Sequence, residues 1–260
     1  MEISKTPVIF IGHGSPMSVL PDNVYNKSWQ ELGLDLNKPK AILVISAHWN
    51  IAETAISDVL QPRQIFDFYG FPEELYTIKY NPLGSPELVK QIKKILDPIL
   101  EIKINNEWGI DHGSWVPLRS LFPAADIPVV QLSLDYNKPA QWHYKIAQAL
   151  KPLRAQGILI IGSGDMVHNL SLMDYDEEAK PFDWAINFEK KIVQAINSQD
   201  YEYLINYQNF GWEAKLAIPT PEHYLPLLYV LALQEPNDQI RWFINGIAHG
   251  SVSMTSFILE

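Results

Sequence analysis

Five histidines in this chain sit where an imidazole could do chemistry. His13 lies between two glycines in "VIFIGHGSP", His48 in "SAHW", His112 in "GIDHGSW", His168 in "GSGDMVHNL" and His223 in "PTPEHY". A neutral imidazole offers a lone pair to a divalent cation, and an ordinary pKa near ~6.5 lets it take or release a proton at neutral pH. Glycine beside such a residue lets backbone and a metal or substrate approach without a Cβ in the way. "GHGSP" alone reads equally well as a turn leaving a strand, so the weight lies in the placement of the set. The other two histidines, His143 in a helical pattern and His249 in a loop near the C-terminus, read as structural or solvated. The sequence has no cysteine, which removes thiolate nucleophiles and disulfides and leaves any metal to His, Asp and Glu.

The elements that must position these residues are legible around them. Short apolar runs recur at "PVIFIG" (7–12), "AILVIS" (41–46), "IPVVQLSL" (127–134) and "GILIIGSG" (157–164). Their β-branched content and lack of polar alternation predict strands buried on both faces. His13 and His48 follow two of these runs directly, and His168 follows another by a few residues. Ligand sites in open α/β sheets form beyond the carboxyl ends of the strands, so these distant residues are expected to converge there. His112 is expected in a loop.

Helices are predicted between the strands. In "SPELVKQIKKIL" Ser85 can cap, Pro86 fits the first turn, and Leu88, Ile92, Ile95 and Leu96 share a face. "KPAQWHYKIAQALKPL" carries a stripe of Trp142, Ile146, Ala149 and Leu153, and further helices are expected at 181–196 and at 222–233, the last opened by Glu222 and His223. "IRWFINGI" (240–247) and "SVSMTSFIL" (251–259) read as closing antiparallel strands. The sum is an α/β fold: one layered catalytic domain over residues 1–260, built around a mixed β-sheet with helices on both faces. The segment 50–81, with weak periodicity and the motif "FDFYGFPEELY", is expected to be a structured loop region over one end of the sheet, able to cover a pocket.

Composition narrows the classes. Hydrophobic residues at 47% and charged residues at 19% describe a folded globular protein. Twenty basic against thirty acidic side chains give a net charge of -10, which repels phosphate backbones and anionic lipid, so neither nucleic acid nor a membrane is expected as a partner. No run approaches the ~20 apolar residues of a membrane span, and the first apolar run is short for a signal-peptide core, so a cytoplasmic location is expected. The expected state is a monomer or small homo-oligomer.

Six ordered motifs carry a family resemblance: "GHGSPM", "SAHW", "YGFPEELY", "GIDHGSWVPL", "GSGDMVHNL" and "PTPEHYLPLLYVLA", with "SMTSF" near the end. Together they resemble the class III extradiol ring-cleavage dioxygenases, and within them the 4,5-DOPA extradiol dioxygenase group, over residues 7–257. The resemblance implies one divalent metal ion per chain held by His13, His48 and His223. His168 faces the same centre, either as a further ligand or as an acid/base, and His112 contacts the substrate hydroxyl. Fe(II) is the metal expected for activity, with Zn(II) able to occupy the site. The wider superfamily uses two histidines and a glutamate, whereas here the third position reads "PEHY", which leaves Glu222 as an alternative ligand to His223.

The implied reaction is ring opening beside the diol of a catechol by O2, with L-DOPA and its 4,5-seco product as the expected case. His112 and His168 are the candidates for handling protons. Trp49, Tyr69, Phe71, Trp115 and Tyr224 could stack on a ring, and Ser15 and Ser163 read as turn residues. Asp111 is expected to point away from His112 if the loop is extended. Two other readings fit the same residues. A zinc-dependent hydrolase would use a His-rich site to activate water, although the G-x-S-x-G elbow of the α/β-hydrolases is missing. A non-enzymatic metal-binding protein on this scaffold would have no use for the proton carriers.

Overall fold

The computed structural model describes residues 5–260, and residues 1–4 lie outside the described residues. Six strands form the main sheet: β1 (Val8–Gly12), β2 (Ala41–Ser46), β3 (Val129–Gln131), β4 (Ile158–Gly164), β5 (Ile240–Ile244) and β6 (Ser256–Leu259). Their order is β3-β2-β4-β1-β6-β5. The first four are parallel, while β6 pairs antiparallel with both β1 and β5. The sheet is therefore mixed, as the closing strands predicted. Register matters for the site: Gly12 pairs with Gly164 and Ser46 with Ser163, so the carboxyl ends of β1, β2 and β4 finish at one rim.

Every residue of β1, β2 and β4 is buried. The pleat sends alternate side chains to opposite faces. Val8, Phe10, Leu43, Ile45, Ile158 and Ile160 enter one apolar core, and Ile9, Ile11, Ile42, Val44, Leu159 and Ile161 enter the other. Removing one such Ile or Leu from water contributes about 1.5–3 kcal/mol, which is why these runs need no polar alternation.

Among the described residues, six helices of eight or more residues cover the two faces. They are α1 (Val24–Asp35), α2 (Pro86–Leu96), α3 (His112–Leu121), α4 (Ala140–Ala149), α5 (Asp183–Asn197) and α6 (Leu225–Ala232). Helices α2, α4, α5 and α6 bury their apolar stripes in the first core, and α1 and α3 bury theirs in the second. Ser85 caps α2 through Leu88 N, and Pro86 stands in its first turn. Among the described residues no helix is long and apolar enough to cross a membrane.

Two expectations need correction, and one helix was not anticipated. The "DHGSWVPL" stretch is the entry to a helix: the Asp111 carboxylate accepts the Ser114 amide at 3.0 Å and caps α3. Gly113 and Pro117 lower the helix propensity of this stretch, but nine of its ten residues are buried, so tertiary packing overrides propensity. Helix α1 follows an Asn23 cap and buries only Asn26, Trp29 and Leu32, too sparse a stripe to announce itself in the sequence. Ser163 lies inside β4 and is no turn residue, whereas Ser15 does accept the Met17 amide in a turn. Boundaries also tighten: 127–134 divides into β3 and a short strand Leu134–Asp135, and α6 begins two residues after His223.

Candidate active site

His13 is the first residue beyond β1. Its amide donates to Gly164 O at 3.2 Å, which extends the β1–β4 ladder by one bond. Gly14 follows at φ +53°, a left-handed conformation that glycine adopts without strain. This turns the chain sharply while the Gly14 amide donates to Asp165 Oδ1 at 3.1 Å. Asp165 is likewise the first residue beyond β4, so register alone brings it beside His13, with His13 Nε2 3.8 Å from Asp165 Oδ2.

His223 arrives from a different layer. Helix α6 crosses close over β4, and a Cβ built on Gly164 would stand 2.1 Å from His223 O. Glycine at that position is what permits the approach. The Asp165 amide donates to the same carbonyl at 2.8 Å. His48 sits in the turn after β2, and His112 is the first residue of α3.

The imidazoles meet. Ring centroids of His13 lie 5.0, 5.6 and 5.4 Å from those of His48, His112 and His223. His48 and His112 are 4.0 Å apart, and His168 stacks flat on His223 at 3.5 Å. All five histidines singled out by placement are thus in one cluster. His143 is not: it is buried in α4, 3.0 Å from Tyr229 Oη and 3.2 Å from Asp135 O, a structural histidine as expected. His249 reaches the Asp174 carbonyl at 3.0 Å.

Hydrogen-bond partners decide which nitrogen carries each proton. Ser163 Oγ donates to Gly113 O, so it accepts from His13 Nδ1, 3.0 Å away. The Glu222 carboxylate accepts from His223 Nδ1 at 3.2 Å. Asp67 Oδ2 lies 3.0 Å from His48 Nδ1. A carboxylate only accepts, so in all three rings the proton is on Nδ1 and the lone pair on Nε2. His13 Nε2 and His48 Nε2 are 3.0 Å apart, and His223 Nε2 is buried without a partner, as is Asp165 Oδ2.

Two groups of potential ligand atoms lie within 4.8 Å of one another: His13 with His48 and His112, and His13 with Asp165 and His223. Nitrogens about 2.1 Å from a shared cation stand about 3.0 Å apart when they subtend a right angle, which is the His13–His48 spacing. The orphaned buried atoms, the neutral nitrogen donors and this spacing fit a divalent ion.

Two sequence alternatives are not brought into these groups. His168 contributes no nitrogen to either, since its ring lies flat against His223. Glu222 stands on the Nδ1 edge of His223, where Thr220 Oγ1 also donates to it at 2.7 Å, and it joins neither group.

Electrostatics favour the neutral ring at four of the five histidines. Burial, followed by the neighbouring imidazoles, holds His13 and His223 well below the ordinary histidine value. Burial and then His48 bring His168 down to about 4, and the same two causes lower His112 against the pull of Asp67. For His48 burial opposes the charged form, but Asp67, Asp111 and Asp165 outweigh it and raise its pKa. Asp67 is held far below the carboxylate range because its two histidine neighbours outweigh its burial. Asp165 is pushed up to about 8, chiefly by burial.

Asp67 and Asp165 are site residues that sequence reasoning missed. A signal existed for each: Asp165 follows β4 as His13 follows β1, and Asp67 belongs to "FDFYGFPEELY". That segment does cover one end of the sheet, with Phe68 edge-on to His112 at 5.5 Å. The aromatics picked from sequence pack elsewhere. Trp49 stacks on Trp108, Tyr224 packs on Tyr207, Phe71 packs on Phe68, Trp115 is buried against Phe66 and Tyr69 is exposed. Asp111 is spent on Ser46, Ser114 and Gln131, so it orients the start of α3 and not the His112 ring.

Comparison with known proteins supports the same chemistry. Residues 7–249 match the family described as the catalytic LigB subunit of aromatic ring-opening dioxygenase. The chain is 42% identical over 259 residues to 4,5-DOPA dioxygenase extradiol of Escherichia coli (strain K12), covering 98% of this chain and 95% of the relative. It is 38% identical over 255 residues to the protein of that name from Beta vulgaris, covering 95% and 94%. The crystal structure of an uncharacterized protein from Escherichia coli K12 superposes with a TM-score of 0.87 at 39% identity, over 98% of this chain and all of that one.

Proposed function

The chain belongs to the LigB family of aromatic ring-opening dioxygenases and is an extradiol ring-opening enzyme, and on that premise we propose that it holds one divalent metal ion between His13, His48 and His223 and cleaves L-DOPA or a closely related catechol. The single observation that carries the metal reading is the common orientation of three imidazoles from three separate elements. Each keeps its Nδ1 against an acceptor, namely Ser163, Asp67 or Glu222, and leaves the Nε2 lone pair for the shared centre. Partners on the far edge of a ligating imidazole set its tautomer and raise its basicity. Asp165, buried beside His13 and His223, adds one carboxyl oxygen as a donor, so the set is not confined to nitrogen and regains the mixed character suited to Fe(II).

A bound Fe(II) would supply a positive centre that gathers the two catechol oxygens and dioxygen and lets electrons pass from ring to oxygen. The protein's own residues manage orientation and protons. His112, with Nδ1 facing Asp67, has its free lone pair on Nε2 and takes a hydroxyl proton from the catechol there. His168, neutral at physiological pH and stacked on His223, is the second carrier and returns a proton as the ring opens. Phe68 closes one wall and keeps water from His112. Both atoms of O2 enter the product, and one ring bond beside the diol is lost. The whole of the chain acts as one catalytic domain in this reading.

The test is anaerobic reconstitution with Fe(II), then addition of L-DOPA and air, following oxygen uptake and a yellow product across a catechol panel. Stoichiometric oxygen use with L-DOPA preferred is the expected result. Oxygen use with another catechol alone would correct the substrate, and anaerobic ester or amide hydrolysis by the zinc form without oxygen use would replace the reading with a hydrolase.

A further inference from the structure

Asp67 faces two histidines of the site at once. Its Oδ2 is 3.0 Å from His48 Nδ1 and its Oδ1 is 3.0 Å from His112 Nδ1, both as close charge contacts. The same Oδ1 accepts the His112 backbone amide at 2.9 Å. His48 and His112 come from different elements, the turn after β2 and the start of α3, yet a single carboxylate spans both rings.

The carboxylate is itself held in place. Ile110 N donates to Arg63 O and Ile65 N to Ile110 O, both at 2.8 Å, so the segment preceding Asp67 is laced to the strand of chain that enters α3. The Trp115 indole donates to Ile65 O at 3.0 Å. Phe66 packs edge-on against Trp115, and Phe68 does the same against His112. Backbone and aromatic contacts on both sides thus fix Asp67 relative to α3.

We propose that Asp67 is a positioning residue shared by the metal-holding and proton-carrying parts of the site, keeping the Nδ1 edges of His48 and His112 on one carboxylate so that both lone pairs lie on Nε2. The inference rests on the metal reading above. Its physical basis is that a carboxylate has acceptors only, so a lone pair on either Nδ1 would face its negative charge at 3.0 Å, which favours the proton there. In Asp67→Asn one oxygen becomes an NH2 group of nearly the same size. The ring opposite that group must turn its lone pair to Nδ1 and its proton to Nε2, where it can neither bind a cation nor accept a proton. Asn still accepts the His112 amide, so the entry to α3 is kept.

The experiment titrates metal-free wild-type, Asp67→Asn and Asp67→Glu proteins with cobalt(II) under argon. Affinity and the visible cobalt spectrum are recorded, followed by kcat and KM for a catechol in the Fe(II)-saturated proteins and by Tm. Asp67→Asn is expected to bind cobalt about 10–100-fold more weakly with an altered spectrum, and to lose at least about tenfold in kcat with KM little changed. Asp67→Glu is expected to recover part of both. Wild-type cobalt affinity and kcat in Asp67→Asn would overturn the inference, and so would a lowered Tm with affinity and kcat intact. Wild-type protein that takes up no cobalt would overturn the metal reading, and this inference with it.

Discussion

At the scale of single residues, the proposed centre separates side chains that would hold a metal from side chains that would move protons. Alanine at His13 removes the nitrogen common to both groups of potential ligands. Metal and activity are expected to disappear together, and metal analysis of the purified variant beside oxygen uptake checks this. Full activity in a metal-free His13→Ala protein would refute the proposed centre. His112→Ala leaves the His13, His48, His223 and Asp165 donors in place, so it is expected to keep its metal while kcat falls about 10²–10⁴-fold, the usual worth of a positioned acid or base.

His143 supplies a control away from the chemistry. Burial lowers its pKa to about 4, and it sits neutral between Tyr229 and Asp135. The unfolded chain binds a proton there below about 6.5 while the folded chain does not. Its contribution is therefore complete above about pH 6.5 and is lost as the pH falls toward about 4, roughly 3 kcal/mol across that window. Urea unfolding at a series of pH values should show a shallower decline in His143→Gln than in wild type. Parallel curves would remove the assignment.

At the scale of elements, what matters is how closely they approach. Gly164 lets α6 press onto β4, and a Cβ there would meet His223 O at 2.1 Å. Gly164→Ala must push His223 away from the rim, at a cost of about 1–3 kcal/mol by overpacking. Weaker metal binding is expected alongside the lower denaturation midpoint. A variant that is destabilised but binds metal as wild type would show that the crossing does not set the position of His223. Asp111 does the same service for α3, since its buried carboxylate caps the helix and satisfies Ser46 and Gln131. Asp111→Ala is expected to cost about 2 kcal/mol or more and to lower kcat through a displaced His112.

At the scale of the whole molecule, the sheet is held closed far from the site by Arg154. Its guanidinium is buried and forms a fork with Asp238, at 2.5 and 2.9 Å, while also donating to Leu233 O and Thr6 O. It ties the start of β1, the end of α6 and the turn before β5 into one cluster. Arg154→Ala leaves a carboxylate and two carbonyls without their donor, and a loss of about 3–5 kcal/mol in urea unfolding is expected. Turnover by the folded fraction at 25 °C should be unchanged, because the cluster lies at the opposite end of β1 from His13. A drop in kcat without a drop in stability would contradict that separation.

Much of this was legible in the sequence, and the reason is local. Apolar runs such as "AILVIS" and "ILIIGSG" state their own burial because a strand between two helical layers must be apolar on both faces, and histidines directly after such runs must lie at the strand ends. The strands, the sheet class and the five clustered histidines follow from that. The entry to α3 did not, because Gly113 and Pro117 argue against a helix until Asp111 and a surrounding core decide for it. Asp67 and Asp165 carried positional signals only, a place in "FDFYGFPEELY" and a place directly after β4, with no periodicity to mark a role. The tautomers, the place of Glu222 on the Nδ1 edge of His223 and the stacking of His168 depend on which atoms stand about 3 Å apart across the fold. Distances between residues 35 to 210 positions apart in sequence are set only when the strands take their register and the helices close over them.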